Sequence, residues 1–118
     1  MRNNLIREKS FSFAIAIIQC YKWLTTTQRE YVLSKQLLRS GTSIGALIRE
    51  AEYAESKPDF IHKLAIALKE ANEAHYWLEL MHQTNYLEHE NFSSLENEIV
   101  SIKKILTSII NSSKSNIR

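Results

Sequence analysis

The residues of this chain best suited to metal chemistry lie between positions 75 and 89. The segment Glu79-Leu80-Met81-His82 contains a Glu-x-x-His pair, a spacing that supplies two ligands to di-iron sites in helical bundles. His75 and His89 each lie seven residues, about two helical turns, from His82. A di-iron site needs a second such pair, and the sequence has none. The simpler interpretation is surface or helix-end histidines, so we expect no metal and no cofactor.

Other candidates for catalysis are equally sparse. Cys20 lies among apolar residues, where a free cysteine usually behaves as a small buried hydrophobe. Lys69, Glu70 and Glu73 could act as acids or bases, but their spacing also fits solvated helix flanks or ion pairs to a neighbouring helix. The sequence contains no nucleophile elbow, no Walker loop and no dinucleotide-binding fingerprint. We therefore expect a protein that is not an enzyme.

The composition indicates which elements carry these residues. The chain has 118 residues, which suits one domain spanning 1–118. It holds only two glycines and one proline, and this scarcity of turn residues favours a few long helices. The basic start and the apolar run 11–18 resemble a secretory signal, but Glu8 interrupts the basic stretch and no small-residue cleavage site follows. The run is too short to cross a bilayer. We expect a cytoplasmic protein with no membrane contact.

Four segments have helical periodicity and predict an all-α fold, an up-and-down antiparallel four-helix bundle. The first has an apolar stripe with steps of three and four, and Thr25–Thr27 interrupts it. The stripe comprises Phe11, Ala14, Ile15, Ile18 and Tyr21, and Phe13, Ile17 and Leu24 widen it. The spacing of Thr27 and Glu30 suggests a capping box for a second helix reaching about Glu55. Ser56 with Pro58 predicts the start of a third helix, ending near 85. The fourth has a heptad seam, and the polar tail 112–118 is expected to fray. The seam comprises Phe92, Leu95, Ile99, Ile102, Leu106 and Ile109.

The segment 39–45, Arg-Ser-Gly-Thr-Ser-Ile-Gly, admits two interpretations. Glycine disfavours a helix interior by about 1 kcal/mol relative to alanine, so the segment could be a phosphate-binding loop. If the second and third helices instead fold back about Ser56, Gly41 lies level with Ala71 and Gly45 with Ala67. Pairing small residues would let the helices approach closely and recover packing energy. We favour the continuous helix, and the same register places Arg39 level with Glu73.

Two features suggest self-association. Trp77 lies off the main apolar stripe of the third helix, and tryptophan is enriched in protein interfaces. A wide core stripe that covers Trp77 is an equally good explanation. The first helix also has a broader apolar face than one partner helix requires.

Charge is unevenly distributed along the chain. The net charge of +2 divides into +6 for residues 1–49, −8 for residues 50–98 and +4 for residues 99–118. In an up-and-down bundle the start of the first helix and the end of the fourth lie at one end. This arrangement would gather a basic patch suited to phosphate groups, although a solvated flank is the simpler alternative. The patch comprises Arg2, Arg7, Lys9, Lys103, Lys104, Lys114 and Arg118.

The sequence resembles a known family along nearly its whole length. The most specific match is Leu33–Ala46, which includes Arg-Ser-Gly-Thr-Ser-Ile-Gly, followed by Ile48-Arg49-Glu50-Ala51. Further matches include 67–71 (Ala-Leu-Lys-Glu-Ala) and 77–80 (Trp-Leu-Glu-Leu). These segments resemble the 23S rRNA intervening-sequence proteins. Leu47 departs from the pattern, since the family usually has asparagine there.

The resemblance implies a four-helix bundle with a continuous second helix, assembled as a homopentamer and without enzymatic activity. Some members are encoded within insertions in bacterial 23S rRNA genes. The family is also similar to the accessory protein of diversity-generating retroelements, which binds a reverse transcriptase and nucleic acid. Our functional hypothesis is a homo-oligomeric binding module that contacts RNA or a nucleoprotein partner. The alternative is a protein-interaction scaffold with no nucleic-acid role.

Overall fold

A computed structural model describes residues 2–115 of the chain, and the side chains of residues 4–115. Four α-helices follow one another: α1 (Arg2–Thr26), α2 (Leu33–Ala51), α3 (Lys57–Gln83) and α4 (His89–Ser115). Each helix packs against its two neighbours, so that α1 contacts α2 and α4, and α3 contacts the same two helices. The predicted all-α, up-and-down bundle is confirmed. Among the described residues, no helix is long and apolar enough to span a membrane.

The start of α3 follows the predicted signal. Ser56 is the N-cap, and its Oγ accepts a hydrogen bond from the backbone N–H of Asp59 at 3.2 Å. The helix ends at Gln83, and Asn85 then adopts a left-handed backbone with φ of 69°. A short polar residue such as asparagine tolerates this conformation, so the chain can reverse into α4 there.

The predicted ends of α2 are wrong, because Glu30 acts differently from the capping box. Its carboxylate accepts hydrogen bonds from the backbone N–H groups of Val32, Leu33 and Ser34, at 2.6–3.1 Å. Three otherwise unpaired donors at a helix start are thereby satisfied, and α2 begins at Leu33. Burial would raise the pKa of Glu30, but these backbone hydrogen bonds outweigh it and hold the pKa below its usual range. At its other end α2 stops at Ala51, short of Glu55.

The core runs along the axis shared by the four helices. All six residues of the predicted seam on α4 are buried. On α1 the predicted inner face is wrong. Phe11, Ile15 and Ile18 of the predicted main stripe are 40–54% exposed, and the fully buried residues are Phe13, Ile17 and Leu24, which were expected only to widen that stripe. A helix that is apolar on most sides has no single periodicity to choose its inner face, and packing against α2 and α4 makes that choice.

The glycines lie inside a continuous α2, as favoured, but their closest neighbours are not those expected. A Cβ atom at Gly41 would lie 2.9 Å from Cγ1 of Ile17, and one at Gly45 would lie 3.5 Å from Ser10. Both neighbours belong to α1, whereas the predicted pairing was with Ala71 and Ala67 of α3. Those alanines are fully buried. In the bundle α2 contacts both α1 and α3, and the glycines lie closest to α1.

The predicted register of the α2–α3 hairpin is nevertheless correct. Nη2 of Arg39 lies 2.5 Å from Oε2 of Glu73, and Nη1 lies 3.4 Å from Oε1 of Glu70. Farther along, Nζ of Lys63 lies 3.4 Å from Oε1 of Glu50. The expected ion pair between Arg39 and Glu73 is therefore present.

The polar tail differs from the expectation of fraying at 112. Residues 112–115 continue α4, and Ser113 is buried at 9% exposure. The start of α1 and the end of α4 flank the same end of the bundle, so the last turn of α4 has a packing partner there. Ile6, Ile109 and Ser113 line one cavity of about 620 Å³ at this end. Residues 116–118 of the predicted tail lie outside the described residues.

Candidate nucleic-acid interface

The structure places the start of α1 and the end of α4 at one end of the bundle, as the predicted basic patch requires, but it divides the cations among different faces. Arg7 turns toward α2, where its Nε lies 3.0 Å from Oε2 of Glu52. Lys9 is half-buried and close enough to Glu98 of α4 for its charge to act on that carboxyl. Burial raises the pKa of Glu98, and the positive charge of Lys9 opposes this rise. The side chain of Arg2 and all of Arg118 lie outside the described residues.

The cations of α4 also divide. Lys103 is half-buried and turns toward α3, where its Nζ lies 2.8 Å from Nδ1 of His75. Lys104 and Lys114 are exposed. Lys114 lies seven residues, about two turns, beyond Thr107 and therefore on the same face of the helix. These two lysines of the predicted patch lie on the same helix, and both are exposed to solvent.

A shallow groove follows this outer side of α4. Its volume is about 510 Å³, and it lies along the side of the helix that faces away from the core. The ammonium of Lys104 and the amide of Asn111 are donors suited to phosphate oxygens, whereas the hydroxyl of Thr107 already donates to the backbone carbonyl of Lys103 at 2.8 Å. We refer to it as the α4 groove, defined by Val100, Lys103, Lys104, Thr107, Ser108 and Asn111.

His75 connects α3 to this side of α4 through two hydrogen bonds. Its Nε2 lies 2.9 Å from Oε2 of Glu96, and its Nδ1 faces the ammonium of Lys103. An ammonium group can only donate, so Nδ1 must accept and the ring must carry its proton on Nε2. The side chains are thus ordered as donor to acceptor from Lys103 through His75 to Glu96. Sequence reasoning missed Glu96, since a contact between helices leaves no spacing signal within one helix.

Of the residues weighed as metal ligands, His82 is not part of a ligand cluster among the described residues. Its ring stacks on that of Phe92 with centroids 4.2 Å apart. A different group, His75, Glu79 and Glu96, has ligand atoms within 4.8 Å of one another. Lys103 makes this group unfavourable for a cation. A metal on Nε2 would require the imidazole to carry its proton on Nδ1, directly against the ammonium.

Cys20 is half-buried, and burial raises the pKa of its thiol to about 11. Because the thiolate is the nucleophilic form, a thiol with this pKa is poorly reactive near neutral pH. The environment of Cys20 is that of a structural residue, in line with the interpretation of the sequence.

Trp77 is half-buried and packs against the core. Its Nε1 donates to Oε2 of Glu73 at 3.0 Å, and its ring meets the edge of Tyr76 at a centroid distance of 5.1 Å. The hydrogen bond from Trp77 and the pair with Arg39 hold the pKa of Glu73 below its usual range. Trp77 therefore supports the α2–α3 contact, and the more exposed aromatic on this face is Tyr76 at 55% exposure.

The largest apolar side chains exposed on a single helix face belong to α1. Phe11, Ile15 and Ile18 are 54%, 45% and 40% exposed and recur at steps of four and three. They form one stripe on the side of α1 opposite its buried residues. The guanidinium of Arg49 lies 5.1 Å from the centre of the Phe11 ring and covers one edge of the stripe. We refer to these three residues as the α1 stripe.

The protein is thus an antiparallel four-helix bundle, and its candidate binding groups lie on the outer faces of the helices. The chain belongs to the family of 23S rRNA-intervening sequence proteins, whose family model matches residues 2–108. A similar solved structure is that of a protein with unknown function from the S23 ribosomal protein family of Bacteroides thetaiotaomicron VPI-5482. The two chains share 55% identity over 94% of this chain and 99% of that one, with a TM-score of 0.93. No curated protein matches the sequence.

Proposed function

We propose that this protein is a non-enzymatic, self-associating module of the cytoplasm that contacts RNA through the α4 groove. The observation that carries the proposal is the face of α4 on which exposed Lys104 and Lys114 accompany Thr107 and Asn111, all turned away from the core. Lysines on phosphates supply affinity without sequence information, so binding should be salt-dependent and of low specificity.

Self-association would make this modest surface effective. The three large apolar side chains of the α1 stripe are each 40–54% exposed. Apolar patches of this kind are typical of protein–protein contacts. Copies of the chain joined through the stripe would present several α4 grooves at once, and linked contacts raise overall affinity well beyond that of one site. The family likeness makes five copies the expected number.

RNA is preferred to a protein as the main partner for two reasons. The name of the family that the chain belongs to refers to 23S rRNA, and the α4 groove is lined by two lysines and by no acidic residue. A pure protein scaffold remains the competing function.

The test measures binding of a single-stranded RNA by fluorescence anisotropy at about 50 mM and about 200 mM salt. The double variant Lys104→Glu/Lys114→Glu should weaken binding by roughly tenfold or more and flatten its salt dependence, since about 0.7 units of log–log slope are lost per phosphate contact. The matched control, Lys35→Glu/Lys69→Glu, changes the net charge equally through exposed lysines of α2 and α3. Equal losses in both variants, or no binding at low salt, would favour the scaffold.

Light scattering coupled to gel filtration tests the assembly in the same samples. The wild type should have a mass several times that of the 13.7 kDa chain. Ile15→Glu places a charge in the middle of the α1 stripe and should reduce the mass, whereas Tyr53→Glu, at a residue 87% exposed elsewhere, should not. A wild-type monomer at micromolar concentration would contradict self-association.

A further inference from the structure

The hydrogen-bonded chain from Lys103 through His75 to Glu96 lies at the edge of the α4 groove. Nζ of Lys103 is 2.8 Å from Nδ1 of His75, and Nε2 of His75 is 2.9 Å from Oε2 of Glu96. Lys103 also lines the groove, so its side chain lies between His75 on one side and the α4 groove on the other. Bound to the neutral imidazole, it is turned toward α3. Released, it would join Lys104 in the groove.

We infer that protonation of His75 releases Lys103 into the α4 groove, so that the protein holds polyanions more tightly as the pH falls. This inference rests on the proposed function, since it concerns the regulation of the same groove. Histidine is the side chain whose charge ordinarily changes between about pH 5 and 8, and it is therefore suited to such a role.

The donor and acceptor pattern explains why protonation breaks the contact. The neutral ring accepts from Lys103 only through the lone pair on Nδ1. A second proton occupies that lone pair, which leaves two donors and two positive charges facing each other at 2.8 Å. No rotation of the ammonium restores a hydrogen bond, because both partners then only donate.

The surrounding carboxylates decide which partner moves. The described charged groups that face His75 are Glu96 and Lys103 from α4 and Glu79 from its own helix. A charged ring keeps its hydrogen bond to Glu96, and the side chain of His75 is only 15% exposed. The charged ring should therefore stay between the helices. Lys103 has a flexible four-carbon stem and open solvent on its other side, so it is the group that leaves.

The direction of the effect follows from these contacts. While the imidazole is neutral, the ammonium of Lys103 is held by His75 and Lys104 is the groove lysine available to a phosphate; once the imidazole is charged, Lys103 is available as well. One further phosphate contact for each copy should raise RNA affinity by roughly fivefold at 0.1 M salt, beyond the general effect of protonating other histidines. The slope of log affinity against log salt should also steepen by about 0.7.

The experiment compares oligouridine binding at about pH 7.5 and pH 5.5 for the wild type and three variants. Gln at position 75 can accept from Lys103 and donate to Glu96 but cannot take up a proton, so His75→Gln should lose the gain at low pH. Lys103→Gln removes the released cation and should lose it too. His62→Gln alters an exposed histidine on the same helix and should keep it. The inference is overturned if His75→Gln retains the pH dependence of the wild type.

A measurement without RNA separates this inference from the proposed function. Nitrogen NMR of histidine-labelled protein should show His75 protonated only on Nε2 at about pH 7.5 and on both nitrogens at low pH. The ammonium signal of Lys103 should change over the same pH range. If these changes occur but no variant binds RNA, the switch stands and the RNA function fails. If RNA binds and His75 holds its proton on Nδ1 at neutral pH, the switch fails and the function stands.

Discussion

The contact between α1 and α2 and the contact between α2 and α3 are built on opposite principles. Between α1 and α2, the glycine backbone of α2 packs directly on residues of α1. A Cβ at Gly41 would lie 2.9 Å from Cγ1 of Ile17, and a Cβ at Gly45 would lie 3.5 Å from Ser10. Between α2 and α3, charged pairs at the exposed edges mark the register, with Arg39 beside Glu73 and Glu70. The first contact depends on shape, and the second is recognisable by charge.

The α2–α3 contact is easier to identify from the sequence, but we expect the α1–α2 contact to contribute more to stability. Exposed ion pairs contribute about 0–1 kcal/mol, because water screens them and long side chains lose entropy when held in place. Extra atoms in a close-packed interface cost several times as much, because the interior has no free volume to receive them. Three substitutions measure the contrast.

The largest effect is expected for Gly41→Leu. The added Cβ alone would lie 2.9 Å from Cγ1 and 3.0 Å from Cγ2 of Ile17, a fully buried β-branched side chain with little rotational freedom. We expect a loss of about 3 kcal/mol in the free energy of unfolding, measured by chemical denaturation at fixed protein concentration.

Two controls accompany Gly41→Leu. Ala46→Leu adds a similar side chain at an exposed position of the same helix and should change stability little. Gly45→Ala places its Cβ at an ordinary 3.5 Å from Ser10, and the better helix former should stabilise by up to about 1 kcal/mol. The account of the α1–α2 contact is wrong if both glycines respond alike.

A smaller effect is expected for Glu30→Gln at the connection between α1 and α2. The amide loses the negative charge that accepts three backbone N–H groups at the start of α2, so we expect a loss of about 1–2 kcal/mol near neutral pH. Glu8→Gln, at an exposed residue of α1, serves as the control.

The pH dependence of that loss has a definite sign. The pKa of Glu30 is lower in the folded protein than its ordinary value, so the carboxylate stabilises the fold above the unfolded value of about 4.3. This contribution disappears as the pH falls through the lower folded value. The wild type and Glu30→Gln should therefore converge in stability only once the pH lies below that lowered folded pKa, and a difference that does not shrink as the pH falls from neutral would contradict the carboxylate's role.

The smallest effect is expected for Arg39→Gln on the α2–α3 side. Arg39 is 52% exposed, and Glu73 keeps its hydrogen bond from Trp77 when the arginine is removed. We expect a loss under about 1 kcal/mol that shrinks further at high salt, with Lys35→Gln as the control. A loss as large as that for Gly41→Leu would remove the distinction between the two contacts.

Much of the fold was accessible from local patterns. The seam of α4 and the Ser56 cap act within single helices, and the spacing of Arg39 and Glu73 follows from one short connection. The candidate site was accessible only in part. The sequence indicates where lysines are numerous, but Lys103 and Lys104 are adjacent in the chain and differ in environment, because consecutive residues on a helix point about 100° apart. One meets His75 and the other meets solvent.

Local sequence patterns were sufficient for the four helices, their order and the register of the central hairpin, because helical periodicity and caps are properties of neighbouring residues. The buried face of α1, the helix that the glycines approach and the basic residues that stay exposed depend on tertiary packing. Each of these depends on groups far apart in the chain: Ile17 on Gly41, Arg7 on Glu52, Lys103 on His75. Such pairs are selected by the way four helices close into one ring, and no spacing within a single helix encodes that choice.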